Sequence, residues 1–296
     1  MDGRLPPRPR PSLLFRRLRA LLLLALLIVL VSTAVQLARG RSGPVSTPAA
    51  SVAAPRPTPS PTALIEAALQ DWDAEGGGRL ALAVADLDAG TTTAYGDSTH
   101  EFATASIVKV NILAALLLQT DGQLSDRERT LAKQMITVSS NGAATTLWRE
   151  IGRAKGLAKA NAKLGLTSTR GGSAGRWGTT TTTVADQLRL LRVVLTDDSP
   201  LTPEARAYAR SLMGSVAKDQ DWGVSAADDR PGREHEVKNG WLPRTGGWVV
   251  NSIGAVEHDG HDLLIVALSE GGETQKQSIK AVELVAKQGA AAITAG

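Results

Sequence analysis

The chain has 296 residues, enough for one large domain or two small ones, and no cysteine, which excludes disulfides, thiolate metal sites and lipidation through an N-terminal Cys. Its formal charge of +4 is unevenly placed: residues 1–41 hold eight Arg against one acid, Asp2, so that stretch is +7 and the remainder −3. A mildly acidic body argues against a nucleic-acid-binding domain, which needs its positive charge on the folded surface.

Arg16, Arg17 and Arg19 precede Ala20–Leu37, 18 residues whose only polar members are Ser32, Thr33 and Gln36. At roughly 1.5 Å per residue such a helix spans about 27 Å, close to the hydrocarbon core of a bilayer. Six Arg before it and two after place the N-terminus in the cytoplasm and the bulk of the chain outside. Residues 1–40 are therefore read as a basic tail and single-pass signal anchor, since a cleaved signal peptide has an apolar region of about 7–15 residues. Cleavage would instead leave a secreted protein. Residues 41–62, rich in Pro, Ala, Ser and Thr, read as a disordered linker. A folded domain is expected over 63–296.

Leu64, Ile65, Ala68 and Leu69 open that domain at helical spacing. Arg79–Ala85 and Thr91–Tyr95 read as strands around an Asp88-Ala89-Gly90 turn. Helical patterns follow at Ile107–Gln119, Asp126–Ile136, Ala143–Ile151, Gly156–Leu164 and Thr183–Leu195. Strands return at Gly247–Val256 and Leu263–Leu268 around the Asp259-Gly260 turn, and Thr274–Ala292 closes the chain as a helix. Strands, an all-helical insert and strands again describe an α+β fold, one antiparallel sheet flanked by helices.

Ser106 and Lys109 are three residues apart at the start of an apolar helix, so both side chains emerge on one face. A Lys in such a helix is partly desolvated, which lowers its pKa and suits it to act as base for the Ser, with Asn111 as a polar neighbour. The same spacing in Ser215–Lys218 is an ordinary helix surface. Ser139-Ser140-Asn141 precedes the next helix, where by itself such a triplet is a cap. Val237-Lys238-Asn239-Gly240-Trp241 leads into the closing strands. There the Gly suits a close backbone approach and the Lys an anionic group, although an edge Lys beside a turn Gly is the commoner origin of such a hit taken alone. His100, His235, His258 and His261 are scattered without zinc-like spacing, and no phosphate loop or dinucleotide fingerprint is present, so no metal or cofactor is expected. Trp222 and Trp241 fit either a core or a cleft wall.

The ordered set resembles the signature of the class A β-lactamase-like serine hydrolases, within the penicillin-recognising β-lactamases and DD-peptidases: Ser-x-x-Lys, Ser-Asp-Asn, Lys-Thr-Gly. The resemblance implies Ser106 as acylated nucleophile and Lys109 as its base. It implies Ser139 as proton relay to the leaving nitrogen, and Asn141, Lys238, Asn239 and Gly240 as substrate-binding. The backbone N–H groups of Ser106 and Trp241 would form the oxyanion hole. Ser140 stands where the family has Asp, and Asn239 where it has a hydroxyl residue. Only 33 residues separate Ser106 from Ser139, which implies a more open site. Thr167–Val184, the segment where class A enzymes carry a deacylating Glu, has no acid and instead holds Arg170, Gly171, Gly172, Gly175, Arg176 and Trp177. The expected activity is amide cleavage in a β-lactam or peptidoglycan-derived peptide, with slow deacylation, by a monomer outside the cytoplasmic membrane. A binding or sensing module that has lost turnover is the alternative.

Overall fold

The computed structural model describes residues 60–295, apart from positions 75, 77, 231, 233 and 234. The expected tail, anchor and nearly all of the linker lie outside these residues. Among those described, no helix is long and apolar enough to cross a membrane.

Helix α1 (Pro61–Ala74) starts two residues earlier than the expected Ala63, because Pro at the first helical position has its φ preset and gives up an N–H that would be unpaired anyway. Strands β1 (Arg79–Asp86) and β2 (Thr92–Gly96) follow, then the two-residue β3 (Phe102–Ala103) and a 3-10 turn at Ala105–Ile107. The helical insert comprises α2 (Val108–Gln119), α3 (Asp126–Thr137), α4 (Asn141–Glu150), α5 (Arg153–Leu164), α6 (Val184–Leu195) and α7 (Pro203–Met213), with β4 (Thr181–Thr182) before α6. Strands β5 (Glu236–Arg244), β6 (Gly247–His258) and β7 (His261–Gly272) and helix α8 (Gln275–Thr294) complete the chain.

The main sheet is antiparallel throughout, in the order β2-β1-β7-β6-β5, which leaves β5 at an edge. Side-chain alternation divides its two faces. Leu82, Val84 and Ile265 pack with Val282, Val285 and Ala286 of α8. Ala81, Ala83, Leu264 and Val266 face the helical insert. Gly289 lets α8 lie close, since a Cβ there would sit 2.5 Å from Leu82 Cδ2. The β6–β7 hairpin turns at Asp259 and Gly260, both at positive φ, as an Asp-Gly turn requires.

Helix α7 and strands β4, β6 and β7 differ from the sequence reading. Helix α7 was not anticipated, although Thr202 caps it by accepting Ala205 N–H and Pro203 opens it. Just before the expected helix at Thr183, which Thr183 itself caps, Thr181 and Thr182 pair with β3. Strands β6 and β7 also run past their expected ends, because the hairpin continues pairing to His258 and His261 at one end and beyond Leu268 at the other.

Candidate active site

Helix α2 is apolar on all sides and buried along nearly its whole length, as the central helix of the insert must be. Lys109 is in its first turn and has no exposed surface. Burial lowers its pKa from 10.5 to about 7. Keeping it protonated there costs about 5 kcal/mol at 1.36 kcal/mol per pH unit. The neighbouring Val108, Val110, Ile112 and Leu113, each worth about 1.5–3 kcal/mol when fully buried, outweigh that cost.

Lys109 Nζ lies 2.9 Å from Ser106 Oγ, 2.9 Å from Ser139 Oγ, 2.7 Å from the Ser139 carbonyl and 2.9 Å from Asn141 Oδ1. Two of these, the carbonyl and the amide oxygen, can only accept. A neutral amine spends its two N–H groups on them and turns its lone pair to the hydroxyls. Asn111 takes no part. Its Oδ1 accepts from Gln187 Nε2 at 3.4 Å, because three residues on from Ser106 and two on from Lys109 are different faces of the helix.

The nucleophile turn is strained and held from two sides. Ala105, immediately before Ser106, has φ 47° and Ser139 has φ 54°, both in the left-handed region that non-glycine residues avoid. Thr104 N–H donates to the Thr180 carbonyl at 2.8 Å. Asn251 of β6, fully buried, donates its Nδ2 to the carbonyls of Ala103 (2.8 Å) and Thr104 (3.1 Å) and accepts Ser269 N–H at 3.0 Å. Asn251 was missed in the sequence; only its polarity within an apolar strand marks it. Ser140 caps α4 by accepting Ala143 N–H, which gives a reason for a Ser at that position.

Alternation along β5 sorts the second motif. Lys238 Nζ, essentially buried, donates to Ser139 Oγ at 3.2 Å and to the Asn239 carbonyl at 2.9 Å. Burial and the nearby Lys109 lower its pKa to about 7. Gly240 faces the same way as Lys238 and lies against the nucleophile turn, so that a Cβ there would be 2.4 Å from Ser106 N. Asn239 points to the other face. Its Nδ2 donates to the carbonyls of Gln220 and Trp222 at 2.8 Å each, so it braces that loop and its amide is not presented to the cleft. A strand's alternate residues turn their N–H and C=O groups to the same edge. The Trp241 N–H therefore shares the open edge with the Asn239 carbonyl, near Ser106.

These groups border a cleft of about 310 Å³ lined by Ser106, Asn141, Arg176, Trp177, Trp241 and Leu242 among others, with no acid in its lining. Trp241 thus forms part of the wall. Trp222 packs against it at a tilt of 54°, with 5.9 Å between centroids, but borders a separate hollow. A groove of about 590 Å³ between α1 and α8 is larger but holds no Ser–Lys pair. Ser215 and Lys218 are both exposed and share no helix. His261 joins Asp86 and Asp88 within reach of one cation. Within that trio Asp86 accepts the N–H groups of Asp88 and Ala89 and pairs with His261 Nδ1, and Asp88 accepts Asp262 N–H, which ties the β6–β7 hairpin to the β1 turn.

A family model described as the beta-lactamase enzyme family matches residues 127–293. The match takes in Ser139, Asn141 and Lys238–Trp241, while Ser106 and Lys109 precede it. A search of curated proteins finds no match. Among solved structures, a variant of the last common ancestor of Gram-negative bacteria class A beta-lactamase has TM-score 0.65 and 21% identity, covering 79% of this chain and 99% of its own. A beta-lactamase from Xanthomonas campestris pv. campestris gives 0.65, 21%, 79% and 99%. One from Chitinophaga pinensis gives 0.66, 17%, 78% and 99%. At these identities the structural likeness speaks for the fold.

Proposed function

Because this chain belongs to the beta-lactamase enzyme family, and with it to the serine hydrolases of that superfamily, we propose that it cleaves an amide bond through an acyl-Ser106 intermediate that it releases slowly. The substrate is a β-lactam or a cell-wall peptide, and the site works outside the cytoplasmic membrane, held there by the apolar segment 20–37. One observation carries the reading. A buried amine, Lys109, has its N–H groups occupied by the Ser139 carbonyl and Asn141 Oδ1 and its lone pair beside the Ser106 hydroxyl.

In this mechanism Lys109 takes the Ser106 proton as Oγ adds to the amide carbon. The N–H groups of Ser106 and Trp241 receive the developing oxyanion. Ser139, within reach of both Lys109 and Lys238, passes the proton to the leaving nitrogen as the C–N bond breaks. Arg176 in an acid-free lining, with Lys238 buried beside Ser139, favours an anionic substrate. Asn239 contributes by bracing the Gln220–Trp222 loop behind β5.

The test is covalent labelling of the full chain by a fluorescent penicillin, beside Ser106→Ala. Label that requires Ser106 supports the reading; hydrolysis retained by Ser106→Ala sinks it. A second reading, a sensing module without turnover, is favoured by the acid-free loop over the site. Steady multiple turnover of any β-lactam or peptide would remove it.

A further inference from the structure

We propose that the Trp177 indole is a fixed cover that keeps water from Lys109, and so sets how long an acyl group remains on Ser106. This rests on the acyl-Ser106 reading above. Release of the acyl group requires a water oxygen to add to the acyl carbon and give its proton to a base. The C–Oγ bond then breaks and Ser106 Oγ takes a proton back. No carboxylate or imidazole lines the cleft, and of the two buried amines beside Ser139, Lys109 and Lys238, it is Lys109 Nζ that lies against Ser106 Oγ and received its proton in the first half-reaction.

That nitrogen is enclosed. Four oxygens of Ser106, Ser139 and Asn141 surround it at 2.7–2.9 Å, and the Trp177 ring lies over it with the centroid 5.0 Å away. Once Ser106 is acylated its Oγ has no proton to offer, so the Lys109 lone pair is free to turn to a water on the ring side; on the line to the ring centroid such a water, at about 2.9 Å from Nζ, would lie about 2.1 Å from the centroid, against the roughly 3.5 Å that such atoms need. It does not fit. The same ring position stabilises the protonated amine, as cations over indole faces do.

The cover is also built in. Trp177 Nε1 donates to Thr145 Oγ1 of α4 at 3.1 Å. The ring's own backbone is a 3-10 turn closed by Thr180 N–H on the Trp177 carbonyl. The loop is pinned at its base by pairing of Arg170 with Thr181, and Asp186 accepts from Thr167 N, Ser168 N and Thr169 Oγ1. Gly172 permits the tight closure, since a Cβ there would be 2.2 Å from the Arg176 carbonyl. Core packing alone would not require the indole to face Lys109 or its Nε1 to be tethered.

The experiment labels the full-length protein with a fluorescent penicillin, removes the free probe and follows loss of label from Ser106. Wild type is compared with Trp177→Ala, Trp177→Phe and Thr145→Val. Trp177→Ala is expected to shorten the acyl lifetime about tenfold or more, the low side of what a positioned general base supplies. Its release rate should rise with pH through about 7, where Lys109 loses its proton. Trp177→Phe, which keeps a ring in place, should stay near wild type, and Thr145→Val should fall between. Equal lifetimes in wild type and Trp177→Ala would overturn the proposal, as would faster release without that pH dependence. Should Trp177→Ala fail to fold, a Thr145→Val lifetime equal to wild type overturns it. A wild-type protein that never takes label would overturn the acyl-Ser106 reading itself, a result separable from the others.

Discussion

Replacing Gly240 by Ala adds one carbon at the point where β5 meets the nucleophile turn. The new Cβ would lie 2.4 Å from Ser106 N, 2.7 Å from Ile107 N and 3.0 Å from the Thr104 carbonyl, all of them backbone atoms. Ordinary contact needs about 3.4 Å, so strand and turn must part by about 1 Å. The turn cannot simply swing away, because Asn251 ties the Ala103 and Thr104 carbonyls to β6 and Thr180 holds Thr104 N–H. A misplacement of that size costs on the order of 10²-fold in rate. The Ser106 N–H is also the group meant to receive the oxyanion, so the acylation rate with a fluorescent penicillin is expected to fall about 10²-fold. Gly246→Ala, in the turn after β5 with nothing within 4 Å of the added carbon, is the control and should acylate as wild type. Thermal unfolding of both variants separates local displacement from loss of fold. Acylation by folded Gly240→Ala within a fewfold of wild type would refute the reasoning that this contact positions Ser106.

Two further outcomes follow from the site. Burial brings the folded pKa of Lys109 down to about 7, and the neutral amine is the base. The acylation rate should therefore drop tenfold per pH unit below about 7 and level off above it, and a rate flat from pH 5 to 8 would exclude Lys109. Asn251→Leu removes the partner of the Ala103 carbonyl and of Ser269 N–H and leaves the Thr104 carbonyl only the Ile107 N–H; at about 1–3 kcal/mol for each of the two unpaired buried groups, stability should fall by about 2–5 kcal/mol. Denaturant unfolding measures this, and a loss below 1 kcal/mol would mean those groups find other partners.

What was readable in the sequence was local. The Ser106–Lys109 spacing lies within one helical turn, Ser140 and Thr183 follow cap grammar, and the Asp259-Gly260 turn carries its own backbone preference. What was not readable depends on register and through-space approach. Asn239 and Lys238 are adjacent, and only the pairing of β5 with β6 decides which faces Ser139 and which the Gln220–Trp222 loop. Asn251 looks like any polar residue in a strand until Gly240 is placed opposite it. Trp177 stood in a segment marked by what it lacked, and its position over Lys109 follows from a loop fold that no periodicity encodes. Helix α7 was missed because it is short and mostly polar, with two Ala (205 and 209) in its buried face beside Leu212 and Met213, even though Thr202 and Pro203 form a good start signal.

Strand β5 gives neighbouring residues separate audiences. Lys238 and Gly240 answer to the cleft, while Asn239 answers to the loop of residues 220–222 on the far side. Two handles therefore share one piece of backbone. An engineer who varies that loop would retune the pitch of the strand, and with it the Trp241 N–H, while leaving every reacting side chain in place. The chemical step is in this way adjustable through residues that lie outside the cleft lining.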